Sequence, residues 1–165
     1  MPATPSPERP SRLPREALIS AIAAGLIAFG AYLRTLHPGV GPSLDSIELQ
    51  IAALVQGIIH PPGSPQYLVL GRLMMSILPG PSMAFRLNLF SALCASVAVA
   101  FVYLSTYRLT RSITASALAS LSLAFAPRFW YQASITELYA VNSLYLAAVF
   151  YLLLAWRDLR WPGLY

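Results

Sequence analysis

Long apolar runs separated by short polar segments dominate the sequence. Four of these runs are predicted to be transmembrane helices, at residues 17–36, 86–107, 113–127 and 138–156. A helix needs about 20 apolar residues to cross a bilayer, which most of these runs supply. A further run, Tyr67–Leu78, is shorter and carries Arg72 in its middle, so the pattern alone leaves open whether it spans. The fold predicted is an all-α, polytopic transmembrane helix bundle with about four spans.

The segment between the first two spans is predicted to contain two helices that lie in the membrane interface. In residues 44–59, apolar residues recur at helical spacing on one face, and the carboxylates of Asp45 and Glu48 lie on another. Such an amphipathic helix lies along a membrane surface rather than crossing it. The run Tyr67–Leu78 would be the second interfacial helix. Residues 37–84 are therefore predicted to form one extracytoplasmic loop.

Composition supports a membrane protein and excludes a nucleic-acid partner. The chain is 57% hydrophobic and 10% charged, whereas soluble domains carry about 25% charged residues. Its eleven basic residues are all arginine and are scattered between the apolar runs, unlike the basic face of a nucleic-acid-binding protein. Residues 1–14 hold five of the fourteen prolines and few apolar side chains. They are predicted to be a disordered cytoplasmic tail before a membrane domain at residues 15–165.

The distribution of the arginines also predicts how the bundle is oriented in the membrane. If the N-terminus is cytoplasmic and Tyr67–Leu78 does not span, seven of the eleven arginines lie in the cytoplasm, as the positive-inside rule requires. If that run does span, four of these seven move outside. The distribution favours four spans and a cytoplasmic N-terminus. The expected location is that of an integral multi-pass protein of the plasma membrane. Several residues that could carry chemistry then face the same outer compartment: Asp45, Glu48, His60, Arg128 and Glu137.

Two of the six acidic residues in the chain, Asp45 and Glu48, lie beside apolar runs where charge is costly. One interpretation is structural: Asp45 caps the following helix and Glu48, three residues later, completes a capping box. The other is catalytic: Asp45 acts as a general base that Glu48 supports, because carboxylates close to low dielectric and to each other can have raised pKa values. The two interpretations do not exclude each other.

Further polar residues at the same membrane face are candidates for substrate binding. Glu137 begins the last apolar run, where an acid also favours the helix dipole. The guanidinium of Arg128 suits a phosphate because it offers paired donors. No metal site and no cofactor are predicted, since the chain has two histidines and no ligands at zinc spacing. The full set of substrate-binding candidates is His60, Arg128, Glu137, Tyr139 and Asn142.

Taken in order, the motifs of the chain resemble a known family. They are D-S-x-E at 45–48, H-P-P-G-x-P at 60–65, G-R-L at 71–73, A-F-R-L-N-L at 84–89 and F-W-x-Q-A-x-x-x-E-x-Y-x-x-N at 129–142. This pattern is similar to an uncharacterised-domain family of polytopic membrane proteins related to protein O-mannosyltransferases, within the GT-C glycosyltransferase superfamily. The resemblance covers roughly residues 20–160 and matches the N-terminal part of such enzymes.

The resemblance implies a function and roles for three acids. The expected activity is transfer of a sugar such as mannose from a polyprenyl-phosphate donor to an extracytoplasmic hydroxyl of a protein or glycan. Asp45 would be the catalytic base, Glu48 would assist it, and Glu137 would be a second acid of the site. The alternative is a non-catalytic integral membrane protein or partner subunit that packs in a helix bundle. A transporter fragment is disfavoured because no broken helix lies at mid-membrane.

Overall fold

The computed structural model describes residues 13–61 and 63–160, with residues 159 and 160 described by their backbone alone. The predicted disordered tail lies outside the described residues except for its last two. The described part of the chain contains helices and no strand, which confirms the all-α prediction. The helices are α1 (Arg15–Thr35), α2 (Leu44–Val55), α3 (Pro65–Ile77), α4 (Met83–Thr110), α5 (Ile113–Ala124), α6 (Pro127–Ser134) and α7 (Leu138–Arg160).

Three of these helices, α1, α4 and α7, are long and apolar enough to cross a membrane. The fourth predicted span exists as the apolar helix α5, but it has 12 residues and ends at Ala124 rather than at residue 127. At 1.5 Å per residue it covers about 18 Å, less than the roughly 30 Å of a bilayer core. Ala126 is extended because the residue before a proline avoids the helical region. That α5 crosses the bilayer stays a prediction.

One helix was not expected from the sequence. No helix was predicted between the spans at 113–127 and 138–156, and the structure places α6 there, with Pro127 at its first turn. Proline suits this position because its missing N–H would have had no helical partner. The eight residues of α6 are too few to show a helical period, so the sequence pattern did not indicate this helix.

The helix α4 lies at the centre of the bundle and packs against α1, α5 and α7. Small residues allow these helices to approach closely: a Cβ added at Gly25 of α1 would lie 3.1 Å from the backbone oxygen of Ser96 in α4. On α5, Ser116, Ser120 and Ala124 are the buried residues. Close contact between small residues is the usual way in which helices associate in lipid.

The two helices predicted between the first spans are both present, as α2 and α3. Their inner faces pack on the bundle, whereas large apolar side chains on the outer faces are exposed. The contact between the helices includes the Arg72 guanidinium, which donates to the carbonyl of Leu54 at 2.9 Å. Their position in a membrane interface stays a prediction. The exposed apolar side chains are Leu44, Ile51, Leu54, Val55, Val69, Leu73 and Ile77.

The polar connections between helices meet at one end of the bundle. The His37 N–H, just after α1, donates to the Ser134 carbonyl at the end of α6 (3.0 Å). The side-chain amide of Asn88, in the second turn of α4, donates to the His37 carbonyl (2.8 Å). At the opposite end, Arg108 of α4 forms an ion pair with Asp158 of α7 at 2.6 Å. We call the first of these ends the site end.

Candidate functional site

Helix α2 begins with a serine cap rather than with the predicted acidic one. The Ser43 hydroxyl accepts a hydrogen bond from the Ser46 N–H at 3.0 Å. Asp45 lies inside the first turn, two residues after the N-cap, and Glu48 bonds elsewhere. The capping-box interpretation is therefore wrong, although an acid in the first turn still interacts favourably with the helix dipole. The side chains of Asp45 and Glu48 are therefore not used to cap α2.

Glu48 binds His60, which lies in the connection between α2 and α3. One carboxylate oxygen, Oε1, accepts from the His60 backbone N–H at 2.7 Å, and Oε2 lies 2.5 Å from the ring nitrogen Nδ1. The side-chain hydrogen bond lowers the pKa of Glu48 and raises the pKa of His60 above its ordinary value. The pair therefore favours carboxylate and imidazolium and holds the connection against the start of α2.

Asp45 stands beside this pair. Ligand atoms of Asp45, Glu48 and His60 all lie within 4.8 Å of one another. Asp45 is exposed, and no hydrogen bond between described residues holds its carboxylate. Two carboxylates and an imidazole are a donor set that a divalent cation can use. The sequence prediction of no metal site relied on spacing, and it did not anticipate that the fold brings His60 to the two acids.

Glu137 is the buried acid of the site end, with 5% of its surface exposed. Its Oε1 accepts a hydrogen bond from the Ser43 hydroxyl at 2.9 Å. Burial raises the pKa of Glu137, with a smaller increase from the Asp45 charge, while the Ser43 hydrogen bond and the Arg128 charge act in the opposite direction. Ser43, which the sequence did not single out, thus joins the cap of α2 to Glu137.

A buried polar network fixes the segments that carry these acids; it comprises Gln50, Asn88 and Thr136, with Ser46 beside it. The Thr136 hydroxyl donates to Asn88 Oδ1 at 2.6 Å, and the Gln50 amide donates to the Thr136 hydroxyl at 2.8 Å. The Ser46 hydroxyl donates to the Thr136 carbonyl at 2.6 Å. None of these residues was a predicted site residue. A polar Asn88 within an apolar run was the available clue.

The remaining predicted binding residues line two separate cavities. Arg128 and Tyr139 lie on the wall of a cavity of about 440 Å³ between α4, α6 and α7. Asn142 lines a second cavity of about 280 Å³, next to Gln66 and Tyr67 of α3. The structure thus brings Asp45, Glu48 and His60 together, but it places Asn142 on a different side of α7 from Tyr139.

An all-helical bundle with three helices able to cross a membrane, and with acidic and polar groups gathered at one end, defines an integral membrane protein with a candidate active site at that end. Residues 45–161 match the family described as "Protein O-mannosyl-transferase TMEM260 N-terminal domain". This match covers more than half of the chain, so the chain belongs to that family. The predicted relation to protein O-mannosyltransferases is confirmed.

Two curated relatives are similar over much of this chain. A Mus musculus protein named "Protein O-mannosyl-transferase TMEM260" is 32% identical over 105 residues, which are 64% of this chain and 15% of the relative. A Dictyostelium discoideum protein with the same descriptive name is 28% identical over 123 residues, 73% of this chain and 15% of the relative. The chain therefore spans a small part of their length. No solved structure matches the chain significantly.

Proposed function

We propose that the chain is the N-terminal module of a membrane glycosyltransferase. It would transfer a sugar, with mannose the expected one, from a polyprenyl-phosphate donor to a hydroxyl of a protein outside the cytoplasm. The observation that carries the proposal is the exposed carboxylate of Asp45, next to the Glu48–His60 pair and close enough to Glu137 to affect its pKa. The names of the relatives support mannosyl transfer. The N-terminus would be cytoplasmic, and the plasma membrane is the expected location.

In this mechanism Asp45 is the general base. Its carboxylate is exposed, so an acceptor hydroxyl can reach it and give up its proton as the hydroxyl oxygen attacks the anomeric carbon. The bond between the anomeric carbon and the phosphate oxygen breaks, and the lipid phosphate leaves with the electron pair. The proton ends on Asp45 and no electrons are exchanged with another reactant. His60, whose pKa is raised, keeps a positive charge beside the acids to a higher pH than an ordinary histidine.

Glu137 has a different environment and therefore a different proposed role. Because burial raises its pKa, Glu137 keeps its proton to a higher pH than an ordinary glutamate. A protonated carboxyl can donate a hydrogen bond to a sugar or phosphate oxygen. Arg128 would hold the donor phosphate through its paired donors. The site would thus contain one exposed base and one buried acid.

The second candidate is a membrane-packing module without catalysis of its own. Helix α7 favours it, because this helix is long and apolar but mostly unburied. Its exposed face can be covered by lipid or by further helices of a larger bundle. The exposed residues of that face are Leu146, Val149, Phe150, Leu152 and Leu153.

Replacing Asp45 separates the two candidates. We expect Asp45→Asn to lower sugar transfer at least about 100-fold, the usual contribution of a general base, with membrane insertion and thermal stability unchanged. The measurement is transfer of labelled mannose from a polyprenyl-phosphate donor to a peptide acceptor in membranes that contain the chain. Glu16→Gln, an exposed acid at the opposite end, is the matched control and should keep full activity. Equal transfer by Asp45→Asn and the unmodified chain would contradict the catalytic assignment.

A further inference from the structure

Four oxygen atoms form a continuous row at the site end, from the Glu137 carboxylate to the Thr136 carbonyl. The Ser43 hydroxyl oxygen lies 2.9 Å from Glu137 Oε1 and 3.0 Å from the Ser46 hydroxyl oxygen, which in turn lies 2.6 Å from the Thr136 carbonyl. Ser46 and Thr136 are fully buried. The backbone of Gly41 packs against the row so closely that an added Cβ would lie 2.9 Å from the Ser46 hydroxyl oxygen. The inner end of the row therefore has no contact with water.

The direction of the hydrogen bonds in this row follows from the number of hydrogens available. A carbonyl can only accept, so the one hydroxyl hydrogen of Ser46 must point to Thr136. Ser43 also has one hydrogen, and two acceptors compete for it, Glu137 Oε1 and the Ser46 oxygen. The Ser43 oxygen accepts from the Ser46 N–H at 3.0 Å and keeps one lone pair for a second donor.

The protonation state of Glu137 decides which acceptor receives the Ser43 hydrogen. An ionised Glu137 takes it, because a charged acceptor forms the stronger hydrogen bond. A protonated Glu137 can instead donate from Oε1 to the free lone pair of Ser43. The Ser43 hydrogen then turns to Ser46, and three hydrogen bonds run in one direction from Glu137 to the Thr136 carbonyl. Hydrogen bonds arranged head to tail in this way strengthen one another.

The second carboxylate oxygen of Glu137, Oε2, offers the proton another position. Oε2 makes no hydrogen bond within the described part of the chain, and it is not one of the buried side-chain atoms that lack a partner. This oxygen is therefore the part of Glu137 that a substrate can reach. When the proton lies on Oε2, Oε1 again accepts from Ser43, and Oε2 can donate to a substrate oxygen.

We propose that Ser43 is a positioning residue that reverses its hydrogen bond as Glu137 gains, loses or redirects its proton. Without substrate, the row that ends at Thr136 holds the proton on Oε1. With a substrate oxygen next to Oε2, the proton lies there and Ser43 donates to Oε1, so the carboxyl group keeps its place in every state. The donation to substrate rests on the proposed function, whereas the reversal does not. The charged and titratable groups that interact with Glu137 are Asp45 of α2, Tyr67 of α3 and Arg128 of α6.

An NMR titration of the full chain in detergent, with ¹³C-labelled glutamate, tests the contact between Ser43 and Glu137. Glu137→Gln identifies the Glu137 signal among the four glutamates. We expect Ser43→Gly to raise the pKa of Glu137, because the lost hydrogen bond favours the carboxylate. Glycine caps a helix nearly as well as serine, so α2 should still form.

Two further variants separate the hydroxyl of Ser43 from its position at a helix cap. Ser43→Thr retains a hydroxyl and should leave the pKa of Glu137 unchanged. Ser112→Gly removes the serine that caps α5 and is the matched control, which should also leave this pKa unchanged. An equal pKa of Glu137 in Ser43→Gly and in the unmodified chain overturns the proposal, as does an equal shift in Ser43→Gly and Ser43→Thr.

The Ser46 amide reports the reversal itself. Its N–H donates to the Ser43 oxygen, and this bond changes when the same oxygen also accepts from Glu137. We expect the Ser46 amide signal to shift with the midpoint of the Glu137 titration and to lose this step in Glu137→Gln. In Asp45→Asn, which removes a charge that raises the pKa of Glu137, both midpoints should fall together. A Ser46 signal that stays constant while Glu137 titrates overturns the reversal. These titrations need no sugar donor, so the Asp45→Asn transfer assay decides the proposed function separately.

Discussion

Asn88 shows how one buried side chain can organise a site made from distant segments. Its amide donates to the carbonyls of His37 and Gly39, each at 2.8 Å, and its Oδ1 accepts from the Thr136 hydroxyl. Asn88 is fully buried, and its side chain supplies a hydrogen-bond partner to all three of these groups. The residue joins the α1–α2 connection to the segment that precedes α7, and Glu137 directly follows Thr136.

We expect Asn88→Ala to destabilise the fold by about 2–4 kcal/mol, because it leaves several buried polar groups without partners. Thermal or denaturant unfolding in detergent measures the change. Asn142→Ala is a matched control: Asn142 lines a cavity and has no hydrogen bond in the structure's described part, so its removal should cost less than about 0.5 kcal/mol. Equal losses for the two variants would contradict the role given to Asn88.

At the residue scale the sequence singled out the three acids as site candidates. It did not single out the residues that bind them or fix the segments that carry them. Asp45, Glu48 and Glu137 stood out because charge is rare in this composition. Ser43 and Thr136 did not, because a serine or threonine near a helix end is ordinary. Their importance comes from partners more than 40 residues away, such as the pairing of Ser43 with Glu137. Long-range partners of this kind are set by the packing of α4, which local spacing does not reveal.

At the element scale, the Glu48–His60 pair holds the connection between α2 and α3 against α2. The lowered pKa of Glu48 means that its contribution is complete above the ordinary value of 4.5 and is lost as pH falls through the lowered pKa. The raised pKa of His60 means that its contribution is complete below 6.5 and is lost as pH rises through the raised pKa. The pair is therefore strongest between about pH 4.5 and pH 6.5.

This pH dependence can be measured directly. We expect the ring of His60 to titrate above its ordinary pKa of 6.5 in an NMR titration, and Glu48→Gln to return the pKa towards that value, because the hydrogen bond with the carboxylate is its largest cause. Proteolysis of the α2–α3 connection should also be faster above the raised pKa of His60 than at pH 5.5. An unchanged titration of His60 in Glu48→Gln would show that the contact does not form in solution.

Helices were more predictable than their ends and their contacts. The apolar periods of α1, α4 and α7 extend over several turns, and such long patterns identify a helix dependably. The end of α5 at Ala124 and the start of α6 at Pro127 depend on the local effect of one proline. The inward face of α2 carries Ser46 and Gln50, which are buried by the polar network. The hydrophobic pattern grouped Ile51 and Leu54 on one face, which is exposed, but it did not indicate that Leu49 and Ala53 are buried on the other.

At the scale of the whole molecule, the proposed site residues lie at one end of the bundle and an ion pair between two long helices lies at the other. The site end contains Asp45, Glu48 and Glu137, while the other end has the ion pair between Arg108 and Asp158. The helices α4 and α7 begin at the first end and finish at the second. The arginine distribution predicts that the second end is cytoplasmic, so the acids would face the opposite compartment.

Single cysteines test this topology. In a Cys94→Ser background we expect Ser64→Cys and Ser112→Cys to react with an impermeant thiol reagent from opposite sides of the membrane, because α4 crosses between them. Tyr131→Cys should react from the same side as Ser64→Cys if α5 crosses as predicted. Cys94 is the one cysteine of the chain, so its replacement leaves the introduced cysteine as the single thiol. Labelling of Ser64→Cys and Ser112→Cys from one side would contradict the four-span prediction.

The buried network also imposes an order on how the protein is made. Asp45 and Glu48 follow the first helix, whereas Asn88 and Thr136 belong to α4 and to the segment before α7. A chain is synthesised and inserted into the membrane from its N-terminus. The acidic loop therefore emerges before the residues that fix it exist. During biosynthesis it can reach its final arrangement only once the last helix begins to enter the membrane, so the site is assembled at the end of translation of this segment.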